Sequence, residues 1–391
     1  MTEHLSGKTS KMIINMKKSL GLYLHIPFCK SRCIYCDFVS SLGDCKSMDK
    51  YVEYLCRQIS LEGQKYSDKY VVDTIYFGGG TPTLLSNENL RRLANTIKYA
   101  FELDIKEFSV EANPCTVDSE KLQVLKDVGA TRISVGVQSF NDNLLKMLGR
   151  IHDKELAKRA IKLASKMGFD VSVDCMLGLP NQTLDDVKEF VDIADDLGVE
   201  HISAYTLSVE EGTPLERLIE QKILEKKSDD EVAIFYEYTC KLMRERGYTR
   251  YEVSNFCKRG KYSFHNLRYW QCEDYLGLGL SAHSLIDGER WRMSDKFDEY
   301  YSAIDLGEDL RLDLETLSLN EKKSEMIMLA LRLDEGLSIE KYEKEFGGSF
   351  SHEYAYALDK NKRYVDFDGK RLKIKDEYVE VMNSIVVDFI K

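Results

Sequence analysis

No stretch of this 391-residue sequence approaches the roughly 20 consecutive apolar residues that a membrane helix requires. Its first residues also lack the short apolar core and cleavage site of a secretory leader. Both absences predict a cytoplasmic protein without stable membrane insertion. Positive charge is scarce: 55 Lys and Arg stand against 66 Asp and Glu, a formal net charge of -11. A chain of that sign has no general attraction to polyphosphate, so nucleic acid is not an expected partner. Proline is limited to five residues, Pro27, Pro82, Pro114, Pro180 and Pro214. Each follows a segment that reads as a strand, and strand ends are where parallel α/β proteins build their sites. Cysteine is more plentiful, with ten residues. Seven of them (Cys45, Cys56, Cys115, Cys175, Cys240, Cys257 and Cys272) are isolated and read as ordinary small side chains. Only Cys29, Cys33 and Cys36 form a group.

Residues 1–20 are polar, Lys- and Ser-rich and without period, which predicts a loose extension; Met12 and Met16 are alternative starts. From Gly21 a strand–helix rhythm begins. Segments 22–26, 74–77, 107–111, 132–137, 170–174 and 201–205 are rich in β-branched and aromatic residues. Apolar residues at helical spacing lie between them, with an N-cap expected at Ser47 and helix stops at Gly129, Gly168 and Gly198. Six strands alternating with helices imply a parallel sheet covered on its outer face. The expected architecture is α/β: a partial (β/α)6 TIM-like barrel over residues 21–215. A flat doubly wound sheet stays open as the alternative, since periodicity does not separate the two. Residues 216–300 are expected to supply barrel-flanking helices and an aromatic-rich segment. Residues 301–391 read as a small C-terminal helical, winged-helix-like domain, with a hairpin signalled by Asp368-Gly369.

Three motifs carry chemistry. Cys29, Cys33 and Cys36 form a CxxxCxxC on the loop after the first strand. Three thiolates from one loop can hold three irons of a [4Fe–4S] cubane and leave the fourth iron open; a zinc site completed by a remote His is the alternative. Gly78-Gly79-Gly80-Thr81-Pro82-Thr83 follows another strand, and bare backbone there permits close approach by a ligand. The contiguous glycines match neither a dinucleotide fingerprint nor a P-loop. Glu111, Gln138, Arg150 and Asp174 gather at or after strand ends, where either ligand binding or a capping or ion-pair role is in order.

Taken with Tyr23-Leu24-His25-Ile26-Pro27-Phe28, Glu111-Ala112-Asn113-Pro114, Ser134 to Phe140 and Asp174 to Pro180, these motifs make the chain resemble a radical S-adenosylmethionine protein. More narrowly, from about Gly21 to its C-terminus it is similar to the oxygen-independent coproporphyrinogen III oxidase family and that family's haem-chaperone branch. The resemblance implies that Cys29, Cys33 and Cys36 ligate the cluster. It implies that Gly79, Gly80 and Thr81 contact the methionyl part of S-adenosylmethionine, and that Tyr23, Tyr35, Glu111, Gln138, Arg150 and Asp174 line the rest of its pocket. In such proteins the open iron chelates that cofactor, and reduction yields methionine and a 5′-deoxyadenosyl radical.

Two branch-level functions compete. The oxidase motif resembles CxxxCxxCxC, whereas Asp37 and Phe38 follow Cys36 here, and only about twenty residues precede the first strand where the oxidase carries a long arm. Both departures oppose oxidase activity. His265-Asn266-Leu267-Arg268-Tyr269-Trp270 matches the HNxxYW element of the chaperone branch. The resemblance therefore implies haem as cargo and a haem-acceptor protein as partner. His265 is expected at or beside the iron, with Tyr269 and Trp270 against the macrocycle, Arg268 near a propionate and Asn266 among the haem contacts. His25, His283 and Cys272 are rival axial ligands, and a core aromatic cluster is the non-binding alternative. A radical enzyme acting on another porphyrin stays open as a third class.

Overall fold

The computed structural model describes residues 17–390. The expected extension lies largely outside them, as do Met12 and Met16. The first strand, β1 (Lys18–Ile26), starts earlier than its apolar core suggests, because Lys18 to Leu20 pair with Tyr70 to Val72.

The rhythm continues through α1 (Cys45–Tyr66), β2 (Tyr70–Gly79), α2 (Asn87–Ala100), β3 (Leu103–Ala112), α3 (Ser119–Val128), β4 (Arg132–Gln138), α4 (Asp142–Met147), α5 (Lys154–Lys166), β5 (Asp170–Leu177), α6 (Leu184–Asp196) and β6 (His201–Thr206). All six expected strands are present, pairing in parallel in chain order. The N-cap of α1 is Asp44, whose carboxylate accepts the Ser47 N–H; Ser47 is the third residue of the helix rather than its cap. Gly129 closes α3 at φ 100°, a left-handed turn that a side chain would strain.

Beyond β6 come α7 (Pro214–Glu220), α8 (Asp229–Glu245), β7 (Thr249–Arg250), β8 (Asn255–Cys257), α9 (Phe264–Trp270), β9 (Tyr275–Leu278), β10 (His283–Ile286), β11 (Glu289–Arg292), α10 (Phe297–Leu306) and β12 (Leu312–Thr316). They extend the sheet at both edges, giving the order β12-β11-β10-β9-β1-β2-β3-β4-β5-β6-β8-β7. The sheet does not close on itself. Pro214 stands eight residues past β6, at the first turn of α7, so it opens a helix rather than ending a strand.

The two faces of the six central strands separate by period two. One carries Leu22, Leu24, Phe77, Val110, Val135, Val173 and Ile202, all buried with the apolar stripes of α1, α2, α3, α5 and α6. The other turns Tyr76, Glu111, Ser134, Gly136, Ser172, Asp174, His201 and Ser203 onto one cavity of about 450 Å³. Residues of five successive strands line one volume only if the sheet is curled. This is the partial barrel, and the flat sheet is set aside.

The C-terminal domain comprises α11 (Leu319–Ala330), β13 (Leu337–Ser338), α12 (Ile339–Phe346), α13 (Phe350–Glu353), α14 (Ala355–Asn361), β14 (Val365–Phe367) and β15 (Arg371–Ile374). Its three strands form a separate antiparallel sheet, β13-β15-β14, and Gly369 turns the expected hairpin at φ 82°. Its own core starts at Met326 and includes Ile327, Tyr342, Phe350, Leu372 and Phe389. The boundary falls after Thr316 rather than at 301, because Tyr301, Ile304 and Leu310 are buried in the barrel core and β12 belongs to the barrel sheet.

Candidate functional site

The cysteine loop leaves β1 at Pro27 and is clamped from three sides. The Cys29 N–H donates to the Ser41 carbonyl (3.0 Å), the Ile34 N–H to Leu148 (3.1 Å), and the Leu215 N–H to the Ile34 carbonyl (2.9 Å). Ile34 and Tyr35 pack on a small apolar cluster of Leu144, Leu148, Met176, Leu179, Leu207 and Leu215, built where the loops after β4, β5 and β6 meet. So held, Cys29, Cys33 and Cys36 all line the mouth of the barrel cavity as free thiols, partly exposed. Burial raises the Cys29 and Cys36 thiols above their ordinary range, so thiolates there require a compensating positive centre. Among the described residues, no group of three or more His, Cys, Asp or Glu side chains is gathered to hold a metal ion. The three sulfurs border a large shared volume. This donor set fits an iron–sulfur cluster with an open corner better than a closed tetrahedral zinc site.

The triple-Gly loop is fastened to the same base. The Gly80 N–H donates to the Ile26 carbonyl (2.9 Å), the Thr81 N–H to the Phe28 carbonyl (2.8 Å), and the Gly79 N–H to Glu111 Oε2 (3.1 Å). These amides are spoken for within the protein, so the loop contributes close approach rather than free N–H donors. A Cβ on Gly80 would stand 2.6–2.9 Å from the backbone of Ile26 and Phe28. The Thr81 hydroxyl lies 3.8 Å from Cys29 Sγ.

Two carboxylates border the same cavity, Glu111 beside this loop and Asp174 on β5. Glu111 also accepts the Tyr76 hydroxyl (2.9 Å), and Asp174 accepts Ser134 (3.4 Å). Burial and the neighbouring Asp174 charge push Glu111 up to about 8, against the Tyr76 and Gly79 hydrogen bonds. Burial raises Asp174 to about 6, against Ser203, Arg150 and Ser134. Arg150 donates to the Gly136 carbonyl and reaches Cys33 Sγ at 3.5 Å; its Nε is buried without a partner. Gln138 ends β4 at φ 68°, a left-handed conformation for a non-Gly residue. A buried acidic pair bordering one cavity suits a cation.

Tyr35, Gly79, Gly80, Thr81, Glu111, Gln138, Arg150 and Asp174 all line this cavity. Tyr23 does not. Its hydroxyl lies 3.1 Å from His25 Nδ1 and its ring stacks on Tyr76 at 6.1 Å, so Tyr76, one strand over, holds the lining position. Tyr76, Ser134, Ser203, Tyr205 and His201 were missed as lining residues. Period-two counting back from Gly78, Gln138 and Asp174, which was available in the sequence, finds Tyr76, Ser134 and Ser172.

The HNxxYW segment forms α9, and its helical period divides the motif between two faces. His265 and Arg268 face the sheet. His265 is fully buried, with Nδ1 3.0 Å from the Thr74 hydroxyl and Nε2 2.9 Å from the Tyr269 hydroxyl; burial and Arg268 lower it to about 3. Arg268 pairs with Asp73 and donates to the Asp274 carbonyl (3.0 Å). Glu107 secures the helix start, accepting the Phe264 and His265 N–H groups (3.1 and 3.3 Å) and Arg132 Nε (3.2 Å). The expectation that His265 ligates iron or lies beside it and that Arg268 meets a propionate is therefore corrected: both His265 nitrogens are engaged, Arg268 is buried on Asp73 with its Nε unpartnered, and neither side chain lines a cavity.

Asn266 and Trp270 face the other way, and Tyr269, one turn on from His265, stands between the two faces with its hydroxyl on His265. All three line a second cavity of about 480 Å³, with Tyr205, Tyr275, Leu285, Arg290, Glu325 and Leu329 among its other walls. This slot lies between the open side of the barrel and α11, and shares Tyr205 and Asn266 with the barrel cavity. Of the rival ligands, His25 is engaged by Tyr23 and by the Val39 carbonyl (3.0 Å). His283 is exposed on β10, and Cys272 packs against the C-terminal core. None of the three lines the slot.

No helix among the described residues is long and apolar enough to cross a membrane. Residues 23–194 match the family model of the radical SAM superfamily, and residues 317–377 that of the HemN C-terminal domain. The heme chaperone HemW of Lactococcus lactis is 34% identical over 380 residues, covering 96% of this chain and 98% of that protein. HemW of Bacillus subtilis is 36% identical over 331 residues, covering 84% and 87%. HemW of Escherichia coli is 38% identical over 270 residues, covering 68% and 70%. The solved structure of coproporphyrinogen III oxidase (HemN) from E. coli, a radical SAM enzyme, superposes with a TM-score of 0.85 over 95% of this chain and 90% of that one. At 22% identity this shows a shared fold and nothing finer.

Proposed function

Because this chain belongs to the HemW family of haem chaperones, within the radical SAM proteins, we propose that it binds haem beside a [4Fe–4S] cluster and S-adenosylmethionine and passes the haem to an acceptor protein in the cytoplasm. Cys29, Cys33 and Cys36 would hold the cluster. Glu111, Gln138, Arg150, Asp174, Tyr35 and the Gly79–Thr81 turn would enclose the sulfonium nucleoside. When bound, the cluster supplies one electron for reductive cleavage of that sulfonium. The protein's own part is to hold two raised carboxylates against a cationic ligand and to shield it from water.

The observation that carries the haem reading is the slot. It is a gap walled by Tyr269, Trp270, Tyr275, Leu285 and Leu329, with a cation, Arg290, at its edge. Flat aromatic walls suit the faces of a macrocycle, and an arginine suits its carboxylates. The slot adjoins the nucleoside cavity. Asp37 and Phe38 after Cys36, with Phe38 58% exposed at the cavity mouth, support a chaperone lacking coproporphyrinogen III oxidase activity.

The test pairs two measurements on anaerobically reconstituted protein. Titration with haem should saturate with a Soret change. Incubation with coproporphyrinogen III, S-adenosylmethionine and reductant should yield no protoporphyrinogen. Turnover of the porphyrinogen, or a flat haem titration, would overturn the assignment.

A further inference from the structure

The walls of the slot belong to different parts of the molecule. Arg290 lies on β11, in the barrel sheet; Glu325 lies on α11, in the C-terminal domain. Of the described residues lining the slot, Arg290 is the only cation, and its Nη2 donates to Glu325 Oε1. The side chains are 35% and 18% exposed, so the pair sits at the slot's rim. Glu252, the other acid of the slot, is buried and satisfied internally, accepting the Ser254 N–H (2.9 Å) and the Asn255 amide. It makes no claim on Arg290. The one group suited to receive a ligand carboxylate is thus held by a carboxylate of the opposite wall.

We propose that Glu325 is a built-in competitor for the carboxylate arms of the slot's ligand. Resting on the haem reading above, the assignment gives Arg290 as the carboxylate receptor and Glu325 as the group a propionate displaces. Both bidentate edges of a guanidinium, Nε/Nη2 and Nη1/Nη2, include the Nη2 that Glu325 holds, so a ligand carboxylate taken at either edge competes with Glu325 for that nitrogen and for the one positive charge. Ligand entry then exchanges an ion pair that ties α11 to β11 for one that ties the ligand to β11. Cargo binding loosens the C-terminal wall, and re-formation of Arg290–Glu325 helps expel the cargo. A carrier must release what it binds, and an internal competitor weakens the hold without removing any apolar contact. Part-exposed ion pairs are individually weak, so the effect sought is about three- to tenfold in affinity.

The experiment titrates wild type, Glu325→Gln and Arg290→Gln with ferric protoporphyrin IX and with its dimethyl ester, following the Soret band. Glu325→Gln should bind the free acid about three- to tenfold more tightly than wild type and leave ester affinity unchanged. Arg290→Gln should weaken the acid and bring it level with the ester. If wild type binds both ligands but Glu325→Gln gains nothing for the acid, or gains equally for the ester, the competitor assignment fails and the haem reading stands. If wild type binds neither, both fall together. Urea midpoints of the two variants close to wild type show that both fold.

Discussion

Arg268 and Asp73 are both nearly inaccessible to solvent and form an ion pair, which more exposed Glu273 and Lys106 flank on either side. Removing Arg268 leaves Asp73 with only the largely exposed Lys106 (3.1 Å) as a charge partner. Arg268→Met should therefore cost about 3–5 kcal/mol of stability, read as a lowered urea midpoint. Haem affinity of the folded fraction should be unchanged, since the side chain faces the sheet. A large loss of haem affinity without loss of stability would return Arg268 to the binding site. Glu111 and Asp174 predict a pH dependence. In the free protein Glu111 is raised to about 8 and Asp174 to about 6. A cationic nucleoside favours their ionised forms, so binding lowers both values and releases protons. Affinity for S-adenosylmethionine should thus rise from pH 6 and level off above about 8. Calorimetry in buffers of different ionisation heats would detect the released proton. Glu111→Gln should flatten the upper part of the rise; an unaltered profile would remove Glu111 from the cation's surroundings.

At the scale of elements, α9 is the decisive piece. Seven residues are too few to form a stable helix alone. Glu107 supplies the anchor from β3, and it also neutralises buried Arg132. Glu107→Ala should destabilise the fold by about 3–5 kcal/mol, and it should deprotect the Phe264 and His265 amides in hydrogen exchange first. Equal protection in the variant would mean that α9 is held by its side chains alone. The six letters of HNxxYW are contiguous in sequence but divided in space, with His265 and Arg268 under the helix, Asn266 and Trp270 above it, and Tyr269 between, bonded to His265 and bordering the slot.

Across the whole molecule, two large cores are present, one in the barrel and one beginning at Met326, with Tyr236 packed against both. Cys29, Cys33 and Cys36 belong to neither. Cys33→Ser should therefore lose the iron–sulfur absorbance after reconstitution yet keep the far-UV circular dichroism and a melting temperature within a few degrees of the cluster-free wild type. Four irons retained per chain would contradict the ligand assignment. Collapse of the fold would mean that the loop clamped by Leu148 and Leu215 depends on the cluster.

What the chain alone determined is local and periodic. Six strands, the glycine helix stops, the Asp368–Gly369 hairpin and the spacing of Cys29, Cys33 and Cys36 follow from backbone preferences acting over a few residues. The resemblance carried by its motifs also led to Glu111, Gln138, Arg150 and Asp174, all of which face the cavity. Three matters awaited the folded chain: that the sheet curls and stays open, that Tyr76 takes the place expected of Tyr23, and that α9 turns its histidine and arginine inward. Each depends on which partner lies across the fold. Thr74, Asp73 and Glu107 meet α9 from positions 156 to 195 residues away. A hydrogen bond at such a separation leaves no period in the sequence, because the two residues become neighbours only when the barrel forms.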